Sequence, residues 1–536
     1  MSASTKRKNR QAEIEAGTYR KQVTQRERDQ KKVKEKRTIV ICTAVVAVIV
    51  VAAILLNLIP AIKNKQELRR YTDGVAVTVG DRTYSPAEVG YYYRNQFNNF
   101  AGSYYGLIYG LDASKGATGL GSMAYTGPEL EGEDLATWRD YFLRSVYNSL
   151  VTTQTWLGYA RDNNITLDAE EIDAVDEDLA NYKAYAVMYN YPDVDQFLSM
   201  NLGKGVTLDM IRNLELDSAL ATKAQDAYKD QLSFTQEELD AEYAGFGGAY
   251  DEFSYAYYCV SPKAAEGEEP TDMAKAEANA EADAIVASYQ DGYDVEDPFE
   301  RLNGYIEEEL GDTASRTDSL KGSYVTDVYA EWLLDEARQP GDITKIADGN
   351  DYHVVVFLGR ETAAYPTVNV RHILIQAEAS EDGTWSEEAL AAAQAEAERI
   401  FAEFEAGDKT EESFAALAEQ YSQDEGSKDK GGLYESVYKG QTVAEFNDFC
   451  FADGRQSGDT AIVYGSNGQY AGFHVMYFVG YGENYSDLLA KDSLSQNAVL
   501  ELLSGAGVAY TPGPEEVLVD PVTEPVAAEP EEKTEG

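Results

Sequence analysis

The chain has 536 residues. A single hydrophobic core does not organise a chain of this length, so several domains are expected. It carries 94 Asp and Glu against 45 Lys and Arg, a net charge of −49 at pH 7. A body this acidic repels phosphate backbones, which argues against nucleic-acid binding. Three cysteines and three histidines, without CxxC or HExxH spacing, predict no disulfide framework, metal site or cofactor. The carboxylates favour a solvated acidic surface over weak calcium binding.

The N-terminal segment joins a basic arm to a long apolar run. Residues 1–37 hold thirteen Lys/Arg and five Asp/Glu, a net of +8, so the remainder carries −49 − 8 = −57. We predict a basic cytoplasmic segment at 1–38 and a transmembrane signal anchor at 39–60, because Ile39 to Ile59 has no charged side chain and can span a bilayer. The basic flank predicts a cytoplasmic N-terminus and an extracytoplasmic body. A buried core helix is the alternative.

Residues 77–245 are predicted to be mainly helical. A short strand-turn-strand at 77–85 precedes a helix that Ser85 can cap, with Pro86 at its first position. A Thr-x-x-Glu capping box at Thr235 begins another helix. The order of these elements resembles the N-terminal chaperone region of SurA- and PrsA-type extracytoplasmic folding factors. The resemblance implies a helical chaperone module.

Tyrosines cluster in and just after the first helix of this region. They are Tyr91, Tyr92, Tyr93, Tyr104, Tyr105 and Tyr109. At helical spacing such rings usually complete a core. Large amphipathic rings can also hold extended, partly apolar polypeptides, so client contact is the second interpretation.

An internal repeat organises the second half of the chain. Residues 351–359 read Asp-Tyr-His-Val-Val-Val-Phe-Leu-Gly, and residues 472–480 read Gly-Phe-His-Val-Met-Tyr-Phe-Val-Gly. The spacing from His353 and His474 to the closing glycine is the same. Each run has the β-branched and aromatic composition of a strand.

The opening strands of the repeats also align. Residues 253–260 occupy the place that 368–375 take in the second copy, so Tyr257 stands where the second copy has His372. We predict a degenerate, inactive α+β domain at 250–362 and an intact one at 366–484.

The second copy contains a series of motifs in a fixed order. They are Val370–Leu374, a helix from about Ser386 to Ala406, Ser413–Ala418, Tyr421–Asp424, Lys430–Leu433, Gly440–Phe446 and Gly472–Val475. This series resembles a parvulin-type peptidyl-prolyl cis/trans isomerase over nearly the whole of 366–484. The resemblance implies rotation of X-Pro peptide bonds without a cofactor.

Three residues are the predicted catalytic group: His372, Asp424 and His474. A small α+β domain can bring its first and last strands side by side, which would bring the two histidines together beneath a groove. Hydrogen-bonded to one another, they would fix each other's tautomer, and Asp424 would supply charge near the rotating carbonyl. The alternative is that both are satisfied core histidines.

The resemblance also implies a pocket for the proline ring, with Leu433, Thr442 and Phe446 as the substrate-binding residues. The chain departs from the family in two places. The loop that commonly reads Gly-Gly-Asp-Leu-Gly is Gly-Gly-Leu-Tyr-Glu at 431–435, and Thr442 replaces a frequent methionine. Slow turnover is therefore expected.

The C-terminal part is predicted to contain a helix at 485–505 that packs back on 77–245, followed by a disordered acidic tail at 509–536. The fold class is thus α+β multidomain: a transmembrane helix, a helical SurA-like module and two tandem parvulin-like domains, the first degenerate.

The predicted function is that of a membrane-anchored foldase that isomerises X-Pro bonds. Its clients would be unfolded or newly secreted polypeptides of a bacterium, expected to be Gram-positive. Whether the protein forms a homodimer is left open. The rival from another class is a non-enzymatic holdase or surface scaffold whose parvulin folds only bind peptide.

Overall fold

A computed structural model describes residues 63–519, except 113, 115, 118, 129–134, 266, 292–294 and 381–382, and the short pieces 3–8, 11–12 and 32. The predicted anchor at 39–60 lies outside the described residues, as does 520–536. Among the helices that are described, none is long and apolar enough to cross a membrane. The chain divides into two compact units. The first contains residues up to Gln231 and from Glu501 onward, and the second is Leu232–Leu500.

The first unit is mainly helical and contains a small sheet. Its elements before Gln231 are α1 (63–72), β1 (Val77–Val79), β2 (Arg82–Tyr84), α2 (Pro86–Ala101), α3 (Tyr104–Ile108), α4 (Trp138–Asn163), α5 (Ala169–Met188), α6 (Val194–Asn201) and α7 (Leu208–Lys229). Ser85 caps α2 as predicted: its side chain accepts from Glu88 N–H, and the Glu88 carboxylate accepts from Ser85 N–H. Pro86 occupies the first turn, where no helical N–H is needed.

The predicted disordered tail from 509 onward is wrong for residues 510–519. Strand β11 (Tyr510–Pro512) pairs antiparallel with β1 and makes the sheet order β11-β1-β2. Glu516 accepts a hydrogen bond from Tyr147 OH at 2.6 Å, and Val519 is buried. Backbone pairing and these contacts order a segment whose Pro/Glu-rich composition alone predicts disorder.

The tyrosine cluster divides between the two interpretations. Tyr91 and Tyr93 are buried in the core of the first unit, where rings such as Phe142 pack edge to face. Tyr104 and Tyr105, on α3, are 73% and 58% exposed. The α2 tyrosines that face the core therefore serve packing, and those of α3 remain available for contact.

The second unit begins with α8 (Gln236–Gly245) and continues with the first repeat. Its elements are β3 (Glu252–Val260), α9 (Asp272–Asp291), α10 (Pro298–Tyr305), β4 (Ser315–Lys321), α11 (Asp327–Leu333), β5 (Ile343–Asp348) and β6 (Asp351–Glu361). The strands form an antiparallel sheet in the order β4-β3-β6-β5. Thr235 closes the predicted capping box with Glu238 at the start of α8.

The second repeat follows directly. Its elements are β7 (Pro366–Gln376), α12 (Glu387–Ala406), α13 (Glu411–Tyr421), β8 (Leu433–Val437), α14 (Ala444–Phe451), β9 (Thr460–Ser466) and β10 (Ala471–Asn484), and the chain then enters α15 (Tyr485–Gly505). The sheet order β8-β7-β10-β9 reproduces that of the first repeat. Ser386 caps α12 through Ala389 N–H.

The strand register confirms the alignment of the repeats. His474 lies opposite Leu374 across β10 and β7, and His353 lies opposite Cys259 across β6 and β3. Cys259 aligns with Leu374 in the sequence, so the two sheets pair equivalent residues. Helices α12 and α13 cover one face of the second sheet, around Ile373 and Val475. The opposite face is left for the site.

Candidate active site

The two histidines lie on neighbouring central strands of the second sheet. In the β7–β10 register His372 pairs with Met476 and His474 with Leu374, so the imidazoles are diagonal neighbours on one face. Their Nδ1 atoms are 3.0 Å apart, and the rings stack with centroids 5.2 Å apart. His372 is 3% exposed and His474 is 4% exposed. The predicted approach of the two rings is therefore found.

Asp424 lies in the loop after α13 and completes the group. Its Oδ2 accepts hydrogen bonds from His372 Nε2 at 2.9 Å, Ser427 Oγ at 2.5 Å and Tyr434 OH at 3.1 Å. The bond from His372 is the largest cause that holds the pKa of Asp424 well below its usual range, and it outweighs the opposing effect of burial. The carboxylate is therefore ionised at neutral pH.

The hydrogen bonds assign a proton to each ring atom. A carboxylate only accepts, so His372 Nε2–H donates to Asp424. With both rings neutral, His372 Nδ1 accepts from His474 Nδ1–H, and His474 Nε2 accepts from Tyr470 OH at 3.1 Å. Burial, followed by the neighbouring His372, lowers the pKa of His474 to about 3, which fits a neutral ring. The result is a directed chain from Tyr470 to Asp424.

A cavity of 270 Å³ opens over this chain. Phe446, on α14, is buried and meets each imidazole edge to face, with ring centroids 5.4 Å apart in both cases. The lining residues are His372, Tyr434, Gln441, Thr442, Val443, Phe446, Asn467, Tyr470 and His474. Thr442 Oγ1 is shielded from solvent and has no hydrogen-bond partner within the described part of the chain.

Two glycines allow the backbone to approach the histidines. A Cβ on Gly432, whose φ is +72°, would lie 2.2 Å from the carbonyl oxygen of His372, and His372 N–H donates to the Gly432 carbonyl. A Cβ on Gly465 would lie 2.7 Å from His474 Nε2. A side chain at either position would displace the ring or the strand that carries it.

Among the predicted substrate-binding residues, Thr442 and Phe446 line the cavity and Leu433 does not. In strand β8 Leu433 pairs with Arg371 and Tyr434 pairs with Val370. Side chains alternate along a strand, so Tyr434 faces the histidines and Leu433 faces the other side of the sheet. The part of the cavity wall expected from Leu433 is formed by Tyr434.

Sequence reasoning missed Ser427, Tyr434 and Tyr470. Tyr434 is the second residue after the double glycine at 431–432, and its closeness to that motif is a usable signal. Burial and the charge of Asp424 raise the pKa of its phenol to about 12, so it remains a hydrogen-bond donor. Tyr470 and Asn467 belong to the turn before β10, where Asn467 Oδ1 accepts from Tyr470 N–H. No spacing rule in the sequence points to that turn.

Comparison with known proteins identifies the domain. Residues 352–477 match the family model described as PPIC-type PPIase domain. The match begins in β6, 14 residues before β7. The second repeat, with its paired histidines, is therefore part of a parvulin-type domain.

Similarity also extends beyond that domain. A Chaperone SurA of Alkalilimnicola ehrlichii is 26% identical over 313 residues, which cover 58% of this chain and 67% of the relative. A Chaperone SurA of Legionella pneumophila strain Lens is 25% identical over 312 residues, 56% of this chain and 66% of the relative. The chain thus spans about two thirds of the length of these relatives.

Among solved structures, PrsA from Bacillus subtilis is similar at 14% identity and a TM-score of 0.27, over 69% of this chain and 87% of that one. PrsA from Streptococcus pneumoniae gives 11% identity and a TM-score of 0.21, over 71% and 91%. The chain thus contains a parvulin-type domain at 352–477, and over more than half of its length it is similar to SurA chaperones.

Proposed function

We propose that the protein is a membrane-anchored extracytoplasmic foldase whose second repeat catalyses cis/trans isomerisation of X-Pro bonds in secreted polypeptides. The observation that carries this proposal is the chain Tyr470–His474–His372–Asp424 beneath an open cavity that Phe446 walls. A purely structural histidine pair would not need an open cavity directly above it.

The reaction needs no bond to break. Rotation about an X-Pro bond has a barrier of about 20 kcal/mol, because amide resonance is lost in the twisted state. A site lowers that barrier if it binds the twisted amide more tightly than the planar one. In our proposal Phe446 holds the proline ring, and the buried imidazoles form a floor that excludes water from the imide nitrogen.

Asp424 and Thr442 have distinct proposed roles. The ionised carboxylate opposes charge on the planar amide's oxygen, which loses negative character as the bond twists and the nitrogen becomes amine-like. Thr442 Oγ1, with no partner within the described residues, can donate to a carbonyl of the bound peptide. Both act by position and electrostatics, and neither attacks the substrate.

The remaining parts of the proposal concern location and clients. We infer that 39–60 anchors the chain with its N-terminus in the cytoplasm of a single-membrane bacterium, because a basic flank precedes 21 uncharged residues. The first unit would hold unfolded clients near the exit site. The names of the SurA relatives support chaperone activity. A chain without residues 1–60 should leave the membrane fraction for the soluble one.

The enzyme proposal is tested by measuring kcat/KM for cis-to-trans isomerisation of a short X-Pro peptide by the full chain. Asp424→Ala should reduce it about 100-fold, since removal of one electrostatic group at a reacting centre has that order of effect. His353→Ala, in the first repeat, is the matched control and should leave the rate unchanged.

A wild-type rate equal to that of the uncatalysed peptide would contradict the enzyme and favour the holdase, in which both repeats only bind polypeptide. Sedimentation of the full chain in detergent would show whether it forms a homodimer.

A further inference from the structure

A groove lies between helices α5 and α7 of the first unit, and Arg212 of α7 forms an ion pair with Asp176 of α5 at 2.5 Å. Two cavities, of 330 Å³ and 660 Å³, open along these helices. Both are lined by Val175, Asp178 and Glu215, so they form one continuous depression. We call it the α5/α7 groove. Its size is that of sites which take a ligand or several side chains of a peptide.

One end of the α5/α7 groove is aromatic. Tyr91, Tyr182 and Tyr185 line the smaller cavity. The same helix α5 ends with Val187 and Met188, which are 80% and 70% exposed. Amphipathic rings beside exposed aliphatic side chains form a surface that apolar residues of an extended chain can cover.

The other end is acidic. The carboxylates that line the groove are Glu171, Asp178, Glu215, Asp226 and Asp230. Lys223 is the cation of the lining, and it pairs with Glu171 at 2.7 Å. Glu215 accepts from Tyr91 OH at 2.8 Å. Within the described part of the chain, the side chains of Asp178, Asp226 and Asp230 have no ion-pair partner.

We propose that the α5/α7 groove binds cationic amphipathic segments of unfolded polypeptides. Lys or Arg side chains of the segment lie against the free carboxylates, and its aromatic or aliphatic residues lie on the tyrosines. This proposal rests on the proposed chaperone function and names the class of client. Opposite charge speeds encounter and excludes acidic segments. A second copy of this chain, with net charge −49, is repelled from such a surface.

The test measures binding of a fluorescent, unstructured peptide of alternating Lys, Leu and Phe to the full chain in detergent, by anisotropy. The triple substitution Asp178→Asn, Asp226→Asn and Asp230→Asn should raise Kd about tenfold at low salt, since each exposed charge pair contributes modestly. The difference should shrink as added salt screens the charges.

The matched control removes three charges from α5 outside the lining. Glu170→Gln, Asp173→Asn and Glu177→Gln are at exposed positions and should leave Kd unchanged. A peptide with Glu in place of Lys should bind wild type at least about tenfold more weakly. Equal loss in both triple variants, or equal binding of the two peptides, would overturn the proposal.

The aromatic end has its own pair of variants. Tyr185→Ala, at a half-exposed ring of the lining, should weaken binding several-fold, whereas Tyr105→Ala, an exposed ring of α3, should not. If the triple variant loses Ca²⁺ binding while peptide affinity is unchanged, the groove is a cation site and the proposal fails. Isomerisation of a short uncharged X-Pro peptide is measured in parallel, so failure of the isomerase and failure of the groove are distinguishable.

Discussion

The two repeats of the second unit share one sheet order and one strand register, yet their histidines meet different partners. In the second repeat His474 Nδ1 meets His372 Nδ1. In the first repeat His353 Nδ1 lies 2.9 Å from Tyr329 OH, and its Nε2 lies 3.9 Å from Cys259 Sγ. The same scaffold therefore carries two different side-chain sets.

The difference follows from two aligned positions. Tyr257 stands where the second repeat has His372, and Tyr329 is the third residue of α11, as Phe446 is of α14. The Tyr257 and Tyr329 rings lie 5.7 Å apart, and Tyr329 is buried. The Tyr257 ring thus stands at the position where the second repeat has the His372 imidazole. The comparison teaches that the sheet tolerates loss of the paired histidines, while the directed chain of hydrogen bonds does not.

The largest expected difference between the repeats is their stability in acid, where the second repeat should lose stability. Burial lowers the pKa of His474 from about 6.5 to about 3, so the unfolded chain takes up the proton first. This contribution to stability is complete above pH 6.5 and is lost as pH falls towards 3, about 5 kcal/mol at most. Pulse proteolysis in urea at pH 7 and pH 4, with fragments mapped by mass spectrometry, measures it. A His474→Gln variant with the same pH dependence would contradict the assignment.

The next largest effect is expected when the second repeat is given the first repeat's residue. His372→Tyr removes the donor to Asp424 and the acceptor for His474, so kcat/KM for an X-Pro peptide should fall about 100-fold, or about 3 kcal/mol. Tyr257→His in the first repeat is the reciprocal control and should create no activity. Thermal unfolding of both variants shows whether a lost rate reflects a lost fold.

A smaller loss is expected for Tyr434→Phe. The substitution keeps the ring that contacts His372 and removes the hydrogen bond to the Asp424 carboxylate. A hydrogen bond to a charged group contributes about 1.5 kcal/mol or more, so kcat/KM should fall about tenfold. An unchanged rate would mean that Ser427 and His372 alone position the carboxylate.

The smallest effect is expected for Tyr329→Phe, the matched change in the first repeat. It removes the phenol that bonds His353 and should lower the stability of that repeat by about 1 kcal/mol, without any change in isomerisation. Urea unfolding and the peptide assay measure the two quantities. A fall in the rate would show that the first repeat contributes to catalysis after all.

The sequence predicts the parts of the site that lie on long strands. His372 and His474 are on strands of 11 and 14 residues whose composition and repeat spacing define their pairing, and the structure brings them together. The alignment of the two repeats is predictable as well. A shift of one residue would move every side chain of a strand to the other face of the sheet.

The differences between the predicted and the observed structure lie in short irregular segments. Strand β8 has five residues, its pairing with β7 shifts between Val368 and Val370, and Ser436 has a φ of +52°. Periodicity in so short a segment does not fix which residue faces the site, and the family resemblance, which implies Leu433, differs by one residue from Tyr434, which lines the cavity. The tail at 510–519 was missed because an edge strand needs only backbone partners, which composition does not reveal.

Strand β11 also has a consequence for the order of synthesis. The first unit receives its third strand and the Tyr147–Glu516 contact from residues beyond 500, with the whole second unit encoded in between. During synthesis, which begins at the N-terminus, the first unit therefore remains incomplete until nearly 270 further residues have been made. A stop codon placed just before residue 510 should therefore destabilise the first unit, at the start of the sequence, and leave the parvulin-type fold of the second repeat intact.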